Sequence, residues 1–580
     1  MAKNYVHTSK VARRKVSTSQ TERANKRQVK NSAGGYVYKV DGMEQLRRFL
    51  ILGTDGGTFY ISEKKLTKDN AKNITKLFKN STSGIAAVDE IIRVSDEGLA
   101  IKNDPAIFAM ALAASCENDD VRKYALKNLS KVCRISTFLF TFISFCDQLR
   151  GWGRGLRNAI TDWYLNMPLD KLAYQVCKYP QRRVEGCQPW SHRDLLRKTH
   201  LTPNSAKMNT LFKYIVEGRD LKTKDVVNPK TGKTVHKTVG FTDAAFNKLK
   251  NDEVLKYVWA HEEAKKATSA SEIVSLVNDY RIGRESIPNN LFTDKVWTTM
   301  LENGMPMTAM IRNIRNMTKA GTLAPLSNGT RLVVNALSDE TVLQKARIHP
   351  ISVLAALNAY APTKFGNVNS YWYDSSAEPE GYTPVPQVVD ALEDAFYKSF
   401  KYVESTGKNI LIAVDVSGSM SRLMEAGIKN MSYCMAAAAQ AMVFARTEKN
   451  SYVMGFAHKF RDLKISARDG LETAMTKAQD GNFGSTDCSL PVRWAMQNNV
   501  DIDAFLVLSD METFYGQVHT DQLLNQYRSK RNLPEAKMIA IGMASNSYTV
   551  ADPKDRNSLN IVGFSADTPK VISEFIRGSF

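Results

Sequence analysis

Asp415, Ser417 and Ser419 directly follow the apolar run NILIAVD and place a carboxylate and two hydroxyls at alternate positions of one short loop. Alternation points the three side chains the same way, and oxygen donors of this kind suit a hard divalent cation. Two more donors lie downstream: Thr486 in GNFGSTDCS and Asp510 at the end of the strand-like AFLVLSD. Together the five oxygen groups are expected to hold one divalent cation, Mg²⁺ in the first instance, although Mn²⁺ or Ca²⁺ fits the same donors. Room remains for water or an outside ligand. Catalysis by this cup is not expected. An aspartyl phosphatase needs a second carboxylate two residues after its nucleophile, and that position is Ser417. Two-metal nucleases need clustered carboxylates to hold ions ~4 Å apart, and here only two separated Asp are supplied. The phosphate loop G-x-x-x-x-G-K-S/T, the zinc motif H-E-x-x-H and the nucleophile elbow G-x-S-x-G are all missing from the chain.

The elements that must position this cup follow from periodicity. Strands are expected at 409–415, 451–456, 504–510 and 536–542, with helices at 431–447, 488–498, 520–530 and 568–576. Alternating strands and helices imply a doubly wound parallel sheet, whose ligands sit outside the carboxyl ends of the strands. Asp415 and Asp510 both end strands, so both fall on that edge. Before this region, amphipathic segments such as MEQLRRFLIL, IAAVDEIIRVSDEGLA and TVLQKARIHPISVLAAL repeat apolar residues at helical spacing, with strand alternation almost absent. A helical-repeat solenoid is expected, although no clean fixed period stands out. The run ISTFLFTFISFC reads as a buried helix, being shorter than the ~18–20 apolar residues of a membrane span. Residues 361–386, rich in Pro, Gly, Ser and Tyr, read as a linker or an ordered excursion. The expected domains are a flexible basic arm at 1–34, a helical module at 35–385 and an α/β domain at 386–580.

Charge separates these parts. The net charge is +20 over 580 residues, yet residues 391–580 carry equal numbers of acidic and basic side chains. Residues 1–30 hold nine Lys/Arg and one Glu, a net +8, which leaves +12 on 31–390. A basic region of this size favours a polyanion, most plainly nucleic acid, because phosphate contacts release condensed counterions. Seven scattered cysteines without a C-x-x-C pair fit neither a disulfide framework nor a zinc site, and no secretory signal opens the chain. A cytoplasmic protein without membrane attachment is expected.

Three basic clusters are candidate RNA contacts. Arg154 and Arg157 lie three apart beside Trp152 and Trp163; they contact phosphate, or pair with Asp162 and pack on tryptophan. A second cluster holds Lys178, Arg182, Arg183, His192, Arg193, Arg197 and His200, with Arg193 and Arg197 four apart near a helix start that offers free N–H groups to phosphate. The third is Arg312, Arg315 and Lys319 on MTAMIRNIRNMTKAG, which also reads as a plain solvated face. His349, before Pro350, reads as a turn or core histidine.

The D-x-S-x-S cup with a later Thr and Asp resembles the metal-ion-dependent adhesion site of von Willebrand factor A domains. Similarity extends further: NSAGGYVYKVDGMEQLRRFLILG, GWGRGLRNAITDWY, QPWSHRDLLRKTHLTP, KARIHP, ALEDAFYKSFKYVESTGKNILIAVDVSGSM, GSTDCSLPVRWA and ASNSYTVADPKDRN resemble the Ro autoantigen family. Members join a helical-repeat TROVE module to a von Willebrand A domain, and this chain is similar from about residue 35 to its end, as a bacterial or phage member. The resemblance implies a HEAT-like helical ring that binds small noncoding Y-like RNA on its outer surface and takes single-stranded ends of misfolded RNA through its hole. It also implies that His192 and Arg197, in WSHRDLLR, belong to the RNA-binding surface. For the whole protein it implies a monomeric scaffold in RNA quality control or decay, with an exoribonuclease such as polynucleotide phosphorylase as partner. Two other readings stand: a scaffold whose cup docks a protein without direct RNA function, or a metal-dependent phosphatase or nuclease.

Overall fold

A computed structural model describes residues 17–53, 63–100, 102–185, 187–227, 234–361, 381–400, 404–422, 432–479, 484–565 and 567–579. Helices run in succession from Gly42–Leu52 to Pro350–Tyr360. Their starts are set by the polar punctuation of the sequence: the side chains of Asp41, Asn80, Asn118, Ser205, Thr242, Ser269, Thr293 and Ser327 each accept an amide N–H of the first turn. Ser136–Leu149 buries Leu139, Phe140, Phe142 and Ile143 among its neighbours, and no described helix is long and apolar enough to cross a membrane. One core gathers the helices up to Val258; a second runs from Ala260 into the α/β domain. The last helices return to the first, where Arg347 bonds Asp96 at 3.0 Å, so the array closes on itself.

The α/β domain holds a six-stranded sheet. Its spatial order is Ser558–Val562, Lys537–Gly542, Ala504–Ser509, Asn409–Asp415, Asn450–Phe456 and Phe460–Asp462. The first five are mutually parallel and the last is an antiparallel edge. Asn409–Asp415 shows why the sequence folds this way. Ile410, Ile412 and Val414 enter the core on one sheet face while Leu411 and Ala413 enter the core on the other. A strand buried on both faces must be apolar throughout. Chain order reverses between Asn409–Asp415 and Ala504–Ser509, and Asp415 and Asp510 stand side by side at that switch point. Helix on helix followed by a doubly wound sheet is the expected architecture, with the short antiparallel edge and Ser558–Val562 added.

Two expectations change. Residues 17–34 are not a flexible arm. Gln28–Lys30 pairs with Tyr36–Lys39, which in turn pairs with Tyr548–Thr549 of the α/β domain. Their polar side chains are satisfied by that domain's loops: Gln20 donates to Asp487 (2.8 Å) and Asn31 to the Thr513 carbonyl (2.9 Å), while the Ala33 amide donates to Glu512 (3.1 Å). Residues 1–16 and most of the expected linker, 362–380, lie outside the described residues. The helical region also carries an antiparallel hairpin, Lys222–Val227 with Thr234–Val239, where strands were not expected.

Arg48 fixes the two halves together. Its guanidinium is wholly buried and donates to the Asn546 side chain (3.0 Å), the Tyr548 carbonyl (2.6 Å) and the Asn560 side chain (2.6 Å). Gly542 leaves room for it, since a Cβ there would stand 2.9 Å from the guanidinium carbon. Replacing Arg48 by Met strands three buried acceptors, and the expected loss is about 3 kcal/mol of unfolding free energy, read from the urea midpoint. An unchanged midpoint contradicts this account of the interface.

Candidate metal centre and nucleic-acid interface

Four of the expected metal donors, Asp415, Ser417, Ser419 and Asp510, meet, and Thr486 is buried on a neighbouring loop whose carbonyl accepts from Thr513. Asp415 is 0% exposed and Asp510 5%, with Ser417, Ser419 and Thr486 buried around them. The Ser417 amide donates to one Asp415 oxygen (2.9 Å) and the Ser509 hydroxyl to the other (2.5 Å). The Ser417 and Ser419 hydroxyls lie 3.1 Å apart, and Ser419 bonds Asp510. Burial raises both carboxyls above the ordinary range, and the Asp510 charge raises Asp415 further. Two buried carboxylates face to face favour a bound cation, because a cation relieves both desolvation and repulsion. Among the described residues no three His, Cys, Asp or Glu side chains form a metal group, so a cation here depends on hydroxyl donors. That set fits a hard divalent ion.

Sequence reading missed the support beneath the cup. Loop 510–516 is sandwiched between the sheet and the N-terminal segment: Thr513 donates to Gln20 (2.5 Å) and to the Thr486 carbonyl (3.2 Å). A Cβ on Gly35 would stand 1.9 Å from the Thr513 carbonyl oxygen. These contacts join residues almost 500 positions apart, beyond the reach of any local pattern.

Two of the three basic clusters meet. Trp152 packs at a tilt of 48° against Trp190 with ring centroids 5.4 Å apart, and Lys198 sits over the Trp152 ring at 5.7 Å. Arg154 and Arg157 on helix Arg154–Asn166 and Arg197 on helix His192–Thr199 are exposed around this aromatic pair. Arg193 is half-buried. Arg182 is exposed, donating to Thr141 (3.1 Å) and 3.7 Å from Asp104. Lys178 is half-buried, donating to Tyr174 (2.9 Å). No ion pair to Asp162 forms at Arg154 or Arg157 among the described residues.

His192 is corrected. Its side chain is 2% exposed, bonded through Nδ1 to the Tyr164 hydroxyl (2.7 Å) and packed edge-on against Phe140, so the ring offers no surface to phosphate. Burial pushes its pKa down to about 3. The helix start is also taken. Ser191 caps the Asp194 amide and Asp194 accepts from the Ser191 amide, a capping box that sets a carboxylate where phosphate was expected. His349 caps helix Pro350–Tyr360 by accepting the Ile351 amide (3.2 Å), as its core reading requires. Arg312, Arg315 and Lys319 are exposed on a separate face. The hairpin adds cations that the sequence reading missed: Lys224 directly opposes Lys237, with Lys222 two residues along the same face.

The chain matches the TROVE domain over residues 29–365 and the Ro60 vWA domain over residues 409–576. A Deinococcus radiodurans protein named RNA-binding protein RO60 is 36% identical over 96% of this chain and 97% of its own length. A Caenorhabditis elegans protein of the same name is 31% identical over 96% of this chain and 91% of its own. The crystal structure of the D. radiodurans RO (RSR) protein superposes with a TM-score of 0.64 at 34% identity, covering 93% of this chain and all of that one.

Two expectations come from this geometry. Added Mg²⁺ or Mn²⁺ is expected to raise Tm, by about 3 kcal/mol of stability at a hundredfold excess over Kd. The gain grows with pH as the two raised carboxyls lose the protons that compete with the ion. Thermal scans with EDTA and with each metal check this, and Asp415→Ala is expected to abolish the response; an Asp415→Ala protein that still responds contradicts the cup. For His192, the folded pKa lies below the ordinary 6.5, so the unfolded chain takes up the proton first and stability falls as pH drops below 6.5. His192→Gln is expected to flatten that fall by up to about 1.4 kcal/mol per pH unit, and an unaltered pH profile contradicts a buried neutral ring.

Proposed function

This chain belongs to the Ro60 family, and from that membership we propose that it binds small noncoding, Y-like RNA and the single-stranded ends of misfolded RNA through its helical module. It does so as a cytoplasmic, monomeric scaffold in RNA quality control or decay. The observation that carries the reading is the basic surface made by exposed Arg154, Arg157, Arg197 and Lys198 around the half-buried Trp152, which rests on the buried Trp190. Arginine and lysine there neutralise phosphates, while aromatic faces receive unpaired bases without regard to sequence. The relatives' printed name, RNA-binding protein RO60, supports the same reading.

The α/β domain contributes docking in this proposal. Asp415, Ser417, Ser419, Thr486 and Asp510 hold one Mg²⁺, and the ion's open position takes a carboxylate of a protein partner, an exoribonuclease among the candidates. Its near-neutral charge suits a protein better than RNA. Catalysis is not part of the proposal: two carboxylates and three hydroxyls around one ion supply neither a paired metal nor a general base.

Filter binding at stepped salt tests the RNA reading. Affinity for structured RNA is expected to fall steeply with salt, and Arg193→Ala with Arg197→Ala to weaken binding at least tenfold and flatten the slope by about one to two ions. RNA binding that is absent or insensitive to salt favours a scaffold that grips protein through its cup.

A further inference from the structure

Where the helical array closes on itself, the first and last helices enclose a cavity of about 740 Å³. Lys102 and Arg134 reach it from the first helices, and Arg312, Arg315, Arg347 and His349 from the last. No carboxylate stands among its described lining residues. Of the five cations only Arg347 has a described carboxylate partner, Asp96 at 3.0 Å. Five positive charges therefore converge on a concave space with one negative charge at its edge.

Arg134 is the most fixed of them. Its guanidinium donates to the Ser95 hydroxyl (3.0 Å), the Ser95 carbonyl (2.9 Å) and the Lys131 carbonyl (2.6 Å), all neutral acceptors. Burial and the nearby Arg347 charge both oppose its ionisation more than the Asp96 carboxylate, which Arg347 already bonds, favours it. Arg315 lies over the Tyr382 ring, 5.6 Å from its centroid, which orients it without neutralising it. Ile311, Ile314, Ile351 and Ala355 beside Tyr360 make an apolar part of the remaining wall, and Ser95, Asn103, Thr308 and Ser352 a polar part. Planar guanidinium forks match phosphate oxygens, and an apolar wall suits a base. Cavities of ~300–1,000 Å³ are the size that takes small ligands.

We propose that this seam cavity binds a phosphorylated nucleoside, with Arg134, Arg312 and Arg315 on the phosphate and the isoleucine wall against the base. The ligand is either a free nucleotide or the phosphorylated terminal nucleotide of an RNA strand, and the second source rests on the RNA-binding reading above. Bridging both ends of the array, the ligand also favours its closed form, because its phosphate screens cations that repel one another across the seam.

Calorimetry with the full chain tests this using AMP, adenosine, and a short oligoadenylate with and without a terminal phosphate. AMP is expected to bind at least tenfold more tightly than adenosine, and Arg312→Gln with Arg315→Gln to remove that preference. Both arginines are exposed, so this variant folds; Arg134→Gln, with its thermal transition checked, provides the second. Preference for the phosphorylated oligonucleotide, lost in the same variants while circular structured RNA still binds, identifies an RNA terminus as the source. AMP binding with no RNA binding of any kind keeps the cavity and sinks the RNA reading. Equal affinity for AMP and adenosine, or an AMP preference untouched by all three substitutions, overturns the proposal.

Discussion

A guanidinium with no access to water holds this molecule in one piece. Taking Arg48 out of solvent costs several kcal/mol unless its charge and donors are met; the oxygens that meet its two terminal nitrogens belong to Asn546, Tyr548 and Asn560 of the α/β domain, and Glu44 of its own helix lies 3.7 Å from Nε. The first helix cannot separate from that domain without exposing or orphaning these groups. Strand Tyr36–Lys39, just before that helix, adds backbone pairing to Tyr548–Thr549. The helical module and the α/β domain are thus two folds sharing one interface.

That constraint reaches the metal cup. Gln20 accepts from Thr513 and donates to Asp487, so the loops bearing Asp510 and Thr486 are braced by the same N-terminal segment that leads into Arg48. Removing the segment would take one hydrogen bond each from the buried Asp487 oxygen and the Thr513 hydroxyl, which would keep Ser489 and the Thr486 carbonyl, in the low-dielectric place where burial already disfavours the two carboxylate charges. Cup geometry therefore depends on residues that belong, by sequence, to the other module.

Legibility followed contact range. Strand Asn409–Asp415 and helices Thr520–Arg531 and Thr568–Arg577 fall where apolar periodicity sets them, and Asp415, Ser417, Ser419 and Asp510 meet because loop alternation and strand ends bring them to one edge. Residues 17–34 were misread because their stability comes from polar contacts to loops almost 500 residues away. The surface role of His192 came from the resemblance of WSHRDLLR to the family's RNA-binding segment, whereas the S-x-x-D of Ser191 and Asp194 is a capping box that closes the helix start and leaves the ring in the core. Lys102, Arg134 and Arg347 carry no local pattern at all; only closure of the helical array brings them together.

The account divides the labour: nucleic acid on the basic helices, a cation and a protein partner on the neutral α/β domain. Photocrosslinking of bound RNA carrying 4-thiouridine, followed by peptide mapping, tests this division most directly. Crosslinks are predicted on peptides spanning Trp152 to Arg157 and Trp190 to Lys198 of the helical module. Crosslinks confined to residues 409–576 would contradict it.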